Sequence, residues 1–122
     1  MELHQIAQHA EDLDRAEAFY RTHFDAEVIA RFDPPGLLFL RLGAARLLLD
    51  RAAPSALLYL RVPDVRTDID RLRAAGVTVD TEPHLLHTDD AGDFGPAGWQ
   101  EWMGFVRDSE GNLLGLASQY PG

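Results

Sequence analysis

Residues 84 to 102 read HLLHTDDAGDFGPAGWQEW and hold the densest set of side chains able to do chemistry in this chain. His84 and His87 offer imidazoles for proton transfer or metal ligation. Asp89, Asp90 and Glu101 offer carboxylates. A carboxylate within reach of an imidazole suits general acid–base work or a divalent ion. Three-residue spacing on a regular strand sends His84 and His87 to opposite faces, so joint ligation requires a bend in the chain. Glu101 and His84 are the candidates for proton transfer, and Trp102 is a candidate platform for a planar ligand. The run from Thr88 to Gln100 is rich in Gly and Asp. It is long for a hairpin connection and reads as a functional loop, a lid at the edge of a cleft.

The rest of the chain must position these groups. Its 122 residues suit one domain with a core of its own. The absence of cysteine excludes disulfides, Cys–zinc sites and thiol chemistry. No apolar run approaches the ~18 residues of a membrane span. The N-terminus is acidic and periodic rather than a basic leader, and a cytoplasmic protein is expected. The net charge of −9 opposes nucleic acid and anionic lipid and suits a neutral or cationic small ligand. No phosphate-binding glycine loop and no serine-centred nucleophile elbow occur; GDFGPAG lacks the Lys and the helix that would have to follow it.

The chain repeats itself. AEDLDRAEAFYR (residues 10–21) returns as VPDVRTDIDRLR (62–73), each with an Asp, Asp12 or Asp64, placed to cap an amphipathic helix. Leu13, Ala16, Phe19, Tyr20 and Phe24 form one apolar stripe, and Val65, Ile69 and Leu72 the other. Gly76 stands where a helix should stop. Strand-like runs follow each helix: AEVIARF, LLFLRLG and ARLLLD, then VTVDTE, EWMGFVRD and NLLGLAS. Each half therefore reads βαβββ, one over about 1–52 and one over about 55–122, within a single α+β domain. Neither half can bury both faces of its sheet alone. By alternation Gln5, Ala7 and His9 share a face of the first strand, and Leu57, Tyr59 and Arg61 a face of the fifth. Gln5, His9 and Tyr59, with His84, His87 and Trp102, are the candidate ligand-binding residues.

Two βαβββ units, D-L-x-x-A-x-x-F-Y at the first helix (Asp12 to Tyr20) and D-S-E-G-N-L-L (Asp108 to Leu114) before the last strand together resemble the glyoxalase/bleomycin-resistance/extradiol-dioxygenase (vicinal oxygen chelate) superfamily. The resemblance implies that the two βαβββ modules form a curved mixed sheet, and it implies a homodimer and a small-molecule cleft. It also implies up to four metal-ligand positions, which fall here on Gln5, Leu47, Leu57 and Gly115. Only Gln5 is able to ligate, and a divalent ion needs three or more strong ligands. The expected cofactor is therefore none, with a recruited divalent metal near His84 and His87 as the disfavoured exception. The expectation is a metal-free small-molecule binder resembling bleomycin-resistance proteins. The alternative is a lyase or isomerase that moves protons in the same cleft. The fold hosts many chemistries and does not by itself decide.

Overall fold

The computed structural model describes residues 1–122. The first βαβββ set is β1 (Ile6–His9), α1 (Leu13–Phe24), β2 (Glu27–Phe32), β3 (Leu37–Leu42) and β4 (Ala45–Asp50). The second is β5 (Leu58–Arg61), α2 (Val65–Ala74), β6 (Val79–Asp89), β7 (Trp99–Arg107) and β8 (Leu113–Tyr120). The expected element order is present throughout. Two compact units result, Met1–Ala56 with Asp108–Asn112, and Leu57–Arg107 with Leu113–Gly122. The junction lies at Ala56, just past the Ala52–Ser55 link, and the D-S-E-G-N turn between β7 and β8 belongs to the first unit.

Each unit forms a four-stranded mixed sheet, in keeping with the expected α+β fold of two βαβββ modules. The first unit has the order β1-β4-β3-β2 and the second β5-β8-β7-β6. In each, the first strand lies parallel to the last and the other pairings are antiparallel. This mixed pattern follows from the connections. A helix crossover returns the chain in parallel, whereas short turns can only reverse it.

The helices form where their caps are. Asp12 accepts the Arg15 amide at 3.0 Å, and Asp64 accepts those of Arg66 and Thr67 at 3.1 and 3.4 Å. Gly76 follows α2 at φ 88°, a conformation only glycine adopts without strain. In the first unit Leu13, Ala16 and Tyr20 of α1 are buried, as are Leu38, Leu40, Leu47 and Leu49 on one face of the sheet. Arg31 reaches Asp14 of α1 from that face at 2.7 Å. In the second unit Val65, Ile69 and Leu72 of α2 are buried with Val106, Leu114 and Leu116. Gly104 lies under Ile69 so closely that a Cβ would stand 2.2 Å from its Cδ1, which fixes the helix-facing side of β7. The residues on the other side of each sheet, away from its own helix, include most of the candidates for chemistry.

Two features of β6 differ from the sequence reading. The strand runs seven residues beyond Glu82, through both histidines to Asp89, and β7 begins at Trp99 rather than at Glu101. The connection is therefore only residues 90–98. The second difference is in register. His84 lies opposite Met103, Leu85 opposite Trp102 and His87 opposite Glu101, with a bulge between Leu85 and His87. Met103 and Glu101 share a face, so the bulge brings His84 and His87 to that face as well. The bend that joint action requires is supplied by the one extra residue, Leu86.

Candidate functional site

In the second unit the side of the sheet away from α2 carries Tyr59, Met103, Phe105 and Glu101, with His84 and His87 beside them. The His87 Nε2 stands 3.7 Å from Glu101 Oε2, an ion-pair distance too long for a hydrogen bond. That nitrogen is buried and has no hydrogen-bond partner. The His87 ring meets Phe94 edge-on at 5.4 Å between centroids. An imidazole and a carboxylate so placed are able to exchange a proton with each other once the pair closes to hydrogen-bond distance. His84 stands apart from the pair. Its Nδ1 lies 3.0 Å from the Glu82 carbonyl and the residue is exposed.

Tyr59 is 55% exposed, and its ring lies edge-on to Phe105 at 6.1 Å. It also covers Gly115, where a Cβ would lie 2.6 Å from Tyr59 Cδ1. Trp102 is placed differently from the other candidates. It faces α2, with the Arg66 guanidinium 4.2 Å from its ring and 4.5 Å from that of Tyr120. Its indole is packed into the helix-side structure, on the face opposite Glu101, so Trp102 and Glu101 do not converge on one ligand. Trp99, three residues earlier, shares the Glu101 face by alternation and was not singled out from the sequence.

The loop after β6 is tied down rather than free to swing. Asp89, 6% exposed, accepts the backbone amides of Asp93, Phe94 and Gly95 at 2.9, 2.9 and 3.0 Å. Its carbonyl also takes the Gly98 amide at 2.8 Å. Gln119 Nε2 holds the Phe94 carbonyl at 3.2 Å. The amide of Phe94, ahead of those of Asp93 and Gly95, holds the Asp89 carboxyl below its ordinary range against the opposing effect of burial. The expected lid is therefore a loop wound around one carboxylate, and it presents Phe94 to His87. A lone Asp in a polar run does not show from sequence that it will turn inward.

In the first unit Gln5 pairs laterally with Arg46 on the side of the sheet away from α1, and Arg46 Nε donates to Gln5 Oε1 at 3.0 Å. Arg46 Nη2 meets His4 Nε2 at 2.6 Å, and the guanidinium lies 5.7 Å from the centre of the Phe39 ring. His9 is on the same side. Its amide donates to Ser55 and its Nε2 lies 2.7 Å from Glu11. Arg46 is the candidate residue the sequence reading missed here. The signal for it was the strand pairing, which one sequence does not display.

The register corrects one inherited position. Ile6 lies beside Leu47 and Leu58 beside Leu114, so the first-unit counterpart of Gly115 is Leu48. Leu47 points to the helix side and is buried. The corrected residue is still a leucine.

A family model for the Glyoxalase/Bleomycin resistance protein/Dioxygenase superfamily matches residues 2–116, and the chain belongs to that superfamily. Among solved structures it is similar to a lactoylglutathione lyase from Agrobacterium tumefaciens, with 25% identity over 95% of this chain and 92% of that one and a TM-score of 0.70. A superfamily member from Sphaerobacter thermophilus aligns at TM-score 0.71 with 18% identity over 96% of each chain. A third structure, titled UcmS2, aligns at 0.69 with 21% identity over 96% of this chain and 97% of that one. No curated protein matches the chain significantly.

The resemblance places metal-ligand positions in this chain, and the residues there do not fit a divalent ion. Leu48 and Leu57 have no donor atom. Gly115 has no side chain, and the Tyr59 ring occupies the space above it. The amide oxygen of Gln5 is already engaged by a guanidinium, whose charge opposes a cation at that point.

Proposed function

We propose that this protein binds a small molecule on the side of a sheet away from its own helix, without an inherited metal. The observation that carries the reading is the set Gln5, Leu48, Leu57 and Gly115, in which three positions lack any ligating atom and the fourth is held by Arg46. What replaces the metal is a surface of apolar and aromatic groups with few polar ones, the usual composition of a small-molecule site. Tyr59, Phe105 and Met103 supply contact area in the second unit, with His84, His87 and Glu101 as its polar groups. Gln5 and His9 supply polar groups in the first. A homodimer accompanies the reading, because Leu57 at 47% exposure and Phe32 at 53% are large apolar side chains left open in a single chain. The test is titration with bleomycin and with neutral aromatic compounds, followed by calorimetry and amide chemical shifts. Micromolar binding with shifts at Tyr59, Met103 and Phe105 is expected. No binding by any of them overturns the reading. A monomeric mass by sedimentation overturns the dimer.

One observation favours a second reading, a lyase or isomerase that transfers protons. It is the His87–Glu101 pair at 3.7 Å, whose imidazole nitrogen is buried without a hydrogen-bond partner. Turnover of the hemithioacetal of methylglyoxal and glutathione, lost in both His87→Ala and Glu101→Gln, is the result expected of it. Wild-type protein that binds but turns over neither this nor any α-keto substrate excludes it.

A further inference from the structure

The first unit contains a cavity of about 340 Å³ where the N-terminal segment meets the β3–β4 turn. Its polar walls are His4, Gln5, Arg41 and Arg46, and its apolar walls include Leu3, Ile6 and Ile29. No carboxylate lines it, although the chain has 20 acidic residues against 11 basic ones. The basic residues are all arginines, and eight of them pair with a carboxylate. Arg41 is the loosest of the eight, 3.7 Å from Glu27. Arg46 has no carboxylate at all. It is held instead by neutral groups, the Gln5 amide oxygen, the His4 ring and the face of Phe39. Its position is therefore fixed while its charge is left uncompensated.

A guanidinium in this state is built to receive an anion, because it presents paired N–H donors at fixed geometry and loses little freedom on binding. We propose that this cavity binds the carboxylate or phosphate of a small ligand, with Arg46 as its principal partner, Arg41 as its second and the apolar walls taking a ring-sized body. The inference rests on the binding reading above, since Gln5 belongs to both, and it names the charge of the ligand. The inherited position that would have faced a cation now has the opposite sign. The local field thus runs against the net charge of −9, from which a neutral or cationic ligand was expected. A cavity of this size accommodates one ring with its acidic group, at the small end of the usual range for ligand sites.

The test uses the full-length protein and four probes of similar size: phenyl phosphate, benzoate, benzyl alcohol and benzylamine. Binding is followed by calorimetry and by the amide shifts of Ala44, Ala45 and Arg46. The two anions should bind and move those amides, whereas the alcohol and the amine should not. Arg46→Gln should weaken the anions about tenfold or more, the usual consequence of losing a charge-assisted pair. Arg41→Gln should weaken them less, and Arg21→Gln, on the outer surface of α1, should change nothing. Arg41→Gln also serves if Arg46→Gln does not fold. The proposal fails if the anions leave residues 44–46 unmoved, if benzylamine binds there as well as benzoate, or if Arg46→Gln and Arg41→Gln both bind anions like the wild type. If neutral aromatics then still shift Tyr59 and Phe105, the binding function stands and only the anion site falls.

Discussion

The two units have the same strand order and the same helix crossover, yet they close their helices by different means. In the first, the N-terminus of α1 is held by the D-S-E-G-N turn. Glu110 accepts the amides of Glu11 and Asp12 at 2.9 Å each and receives Arg15 Nε at 2.7 Å. Asp108 receives the buried Tyr20 hydroxyl at 2.6 Å and the amides of Glu110 and Asn112 at 2.8 Å each. In the second unit the cap of α2 comes from the unit's own last strand. Ser118 accepts the Val65 amide at 2.7 Å, and the Tyr120 hydroxyl donates to Asp64. The lesson is that one repeated sequence pattern, an Asp before an amphipathic helix, is completed by carboxylates and arginine in one copy and by hydroxyls and aromatic rings in the other. The first closure should respond more strongly to acid and charge removal than the second, where the Tyr120 hydroxyl, with Thr67 and the Arg66 amide, holds the single Asp64 carboxyl below its ordinary range.

The largest effect should come from breaking the charged closure. Asp108→Ala strips partners from the Tyr20 hydroxyl, two backbone amides and the Asn112 side chain. Each buried group left unpaired costs about 1–3 kcal/mol, so a total of about 3 kcal/mol or more is expected in denaturant unfolding. The equivalent disruption of the second unit, Ser118→Ala, should cost about 1–3 kcal/mol, since it releases one donor and one acceptor. Equal costs would show that the charged turn adds nothing to the closure.

Acid sharpens the same contrast. Burial alone would raise the Glu110 carboxyl, but Arg15, the Asp12 amide and Ser109 outweigh it and bring the group down to about 2. A carboxyl depressed by folding contributes stability that is full above its unfolded range near 4.5, and that is lost as pH falls toward 2. The wild type should therefore lose stability steadily between pH 4.5 and 2, and Glu110→Gln should be less stable at neutral pH with a flatter acid limb. Parallel pH profiles for the two proteins would refute this assignment.

A middle-sized effect of opposite sign separates the two cores. On the helix side of β1 the first unit has Gln8, fully buried, with neither its amide nitrogen nor its oxygen hydrogen-bonded. By register the second unit has Leu60 at the equivalent place on β5. An unpaired buried amide is a net cost, so Gln8→Leu should raise stability by about 1–2 kcal/mol, measured as a higher unfolding midpoint at unchanged m-value. Gln8→Met, closer in shape, should do nearly as well. A loss in both would mean that Gln8 has a partner or a water to satisfy it.

These cases show what could be read in the chain and what could not. The helices, their Asp caps and the order of ten elements follow from local periodicity and end signals, which lie close together in sequence. The absence of ligating side chains at Leu57 and Gly115 is legible only through the resemblance, which supplies the positions. Register is not local. The counterpart of Gly115 was misplaced by one residue, on Leu47 rather than Leu48, because the shift depends on which strands pair. The bulge at Leu86 was invisible for the same reason, and it reversed the expected relation of His84 to His87. Arg46 and Asp89 escaped notice because each acts through partners brought to it by folding, the one through Gln5 and the other through amides of a loop that has no regular pattern.

The smallest expected effect tests the aromatic closure of the second unit. Arg66 lies between the rings of Trp102 and Tyr120, 4.2 and 4.5 Å from their centres, and no carboxylate pairs with it. A cation over aromatic faces at an exposed site contributes about 0.5–1 kcal/mol. Arg66→Met keeps most of the stem and removes the charge, so a loss of about 0.5–1 kcal/mol is expected. Tryptophan fluorescence gives an independent readout, because Trp102 should lose its cationic neighbour while Trp99 keeps its surroundings. If Trp102 served the ligand instead, Arg66→Met would leave stability unchanged and alter binding. Because the guanidinium covers the indole on the helix side, the expected outcome is the reverse: a small loss of stability, and binding at Tyr59, His87 and Glu101 intact.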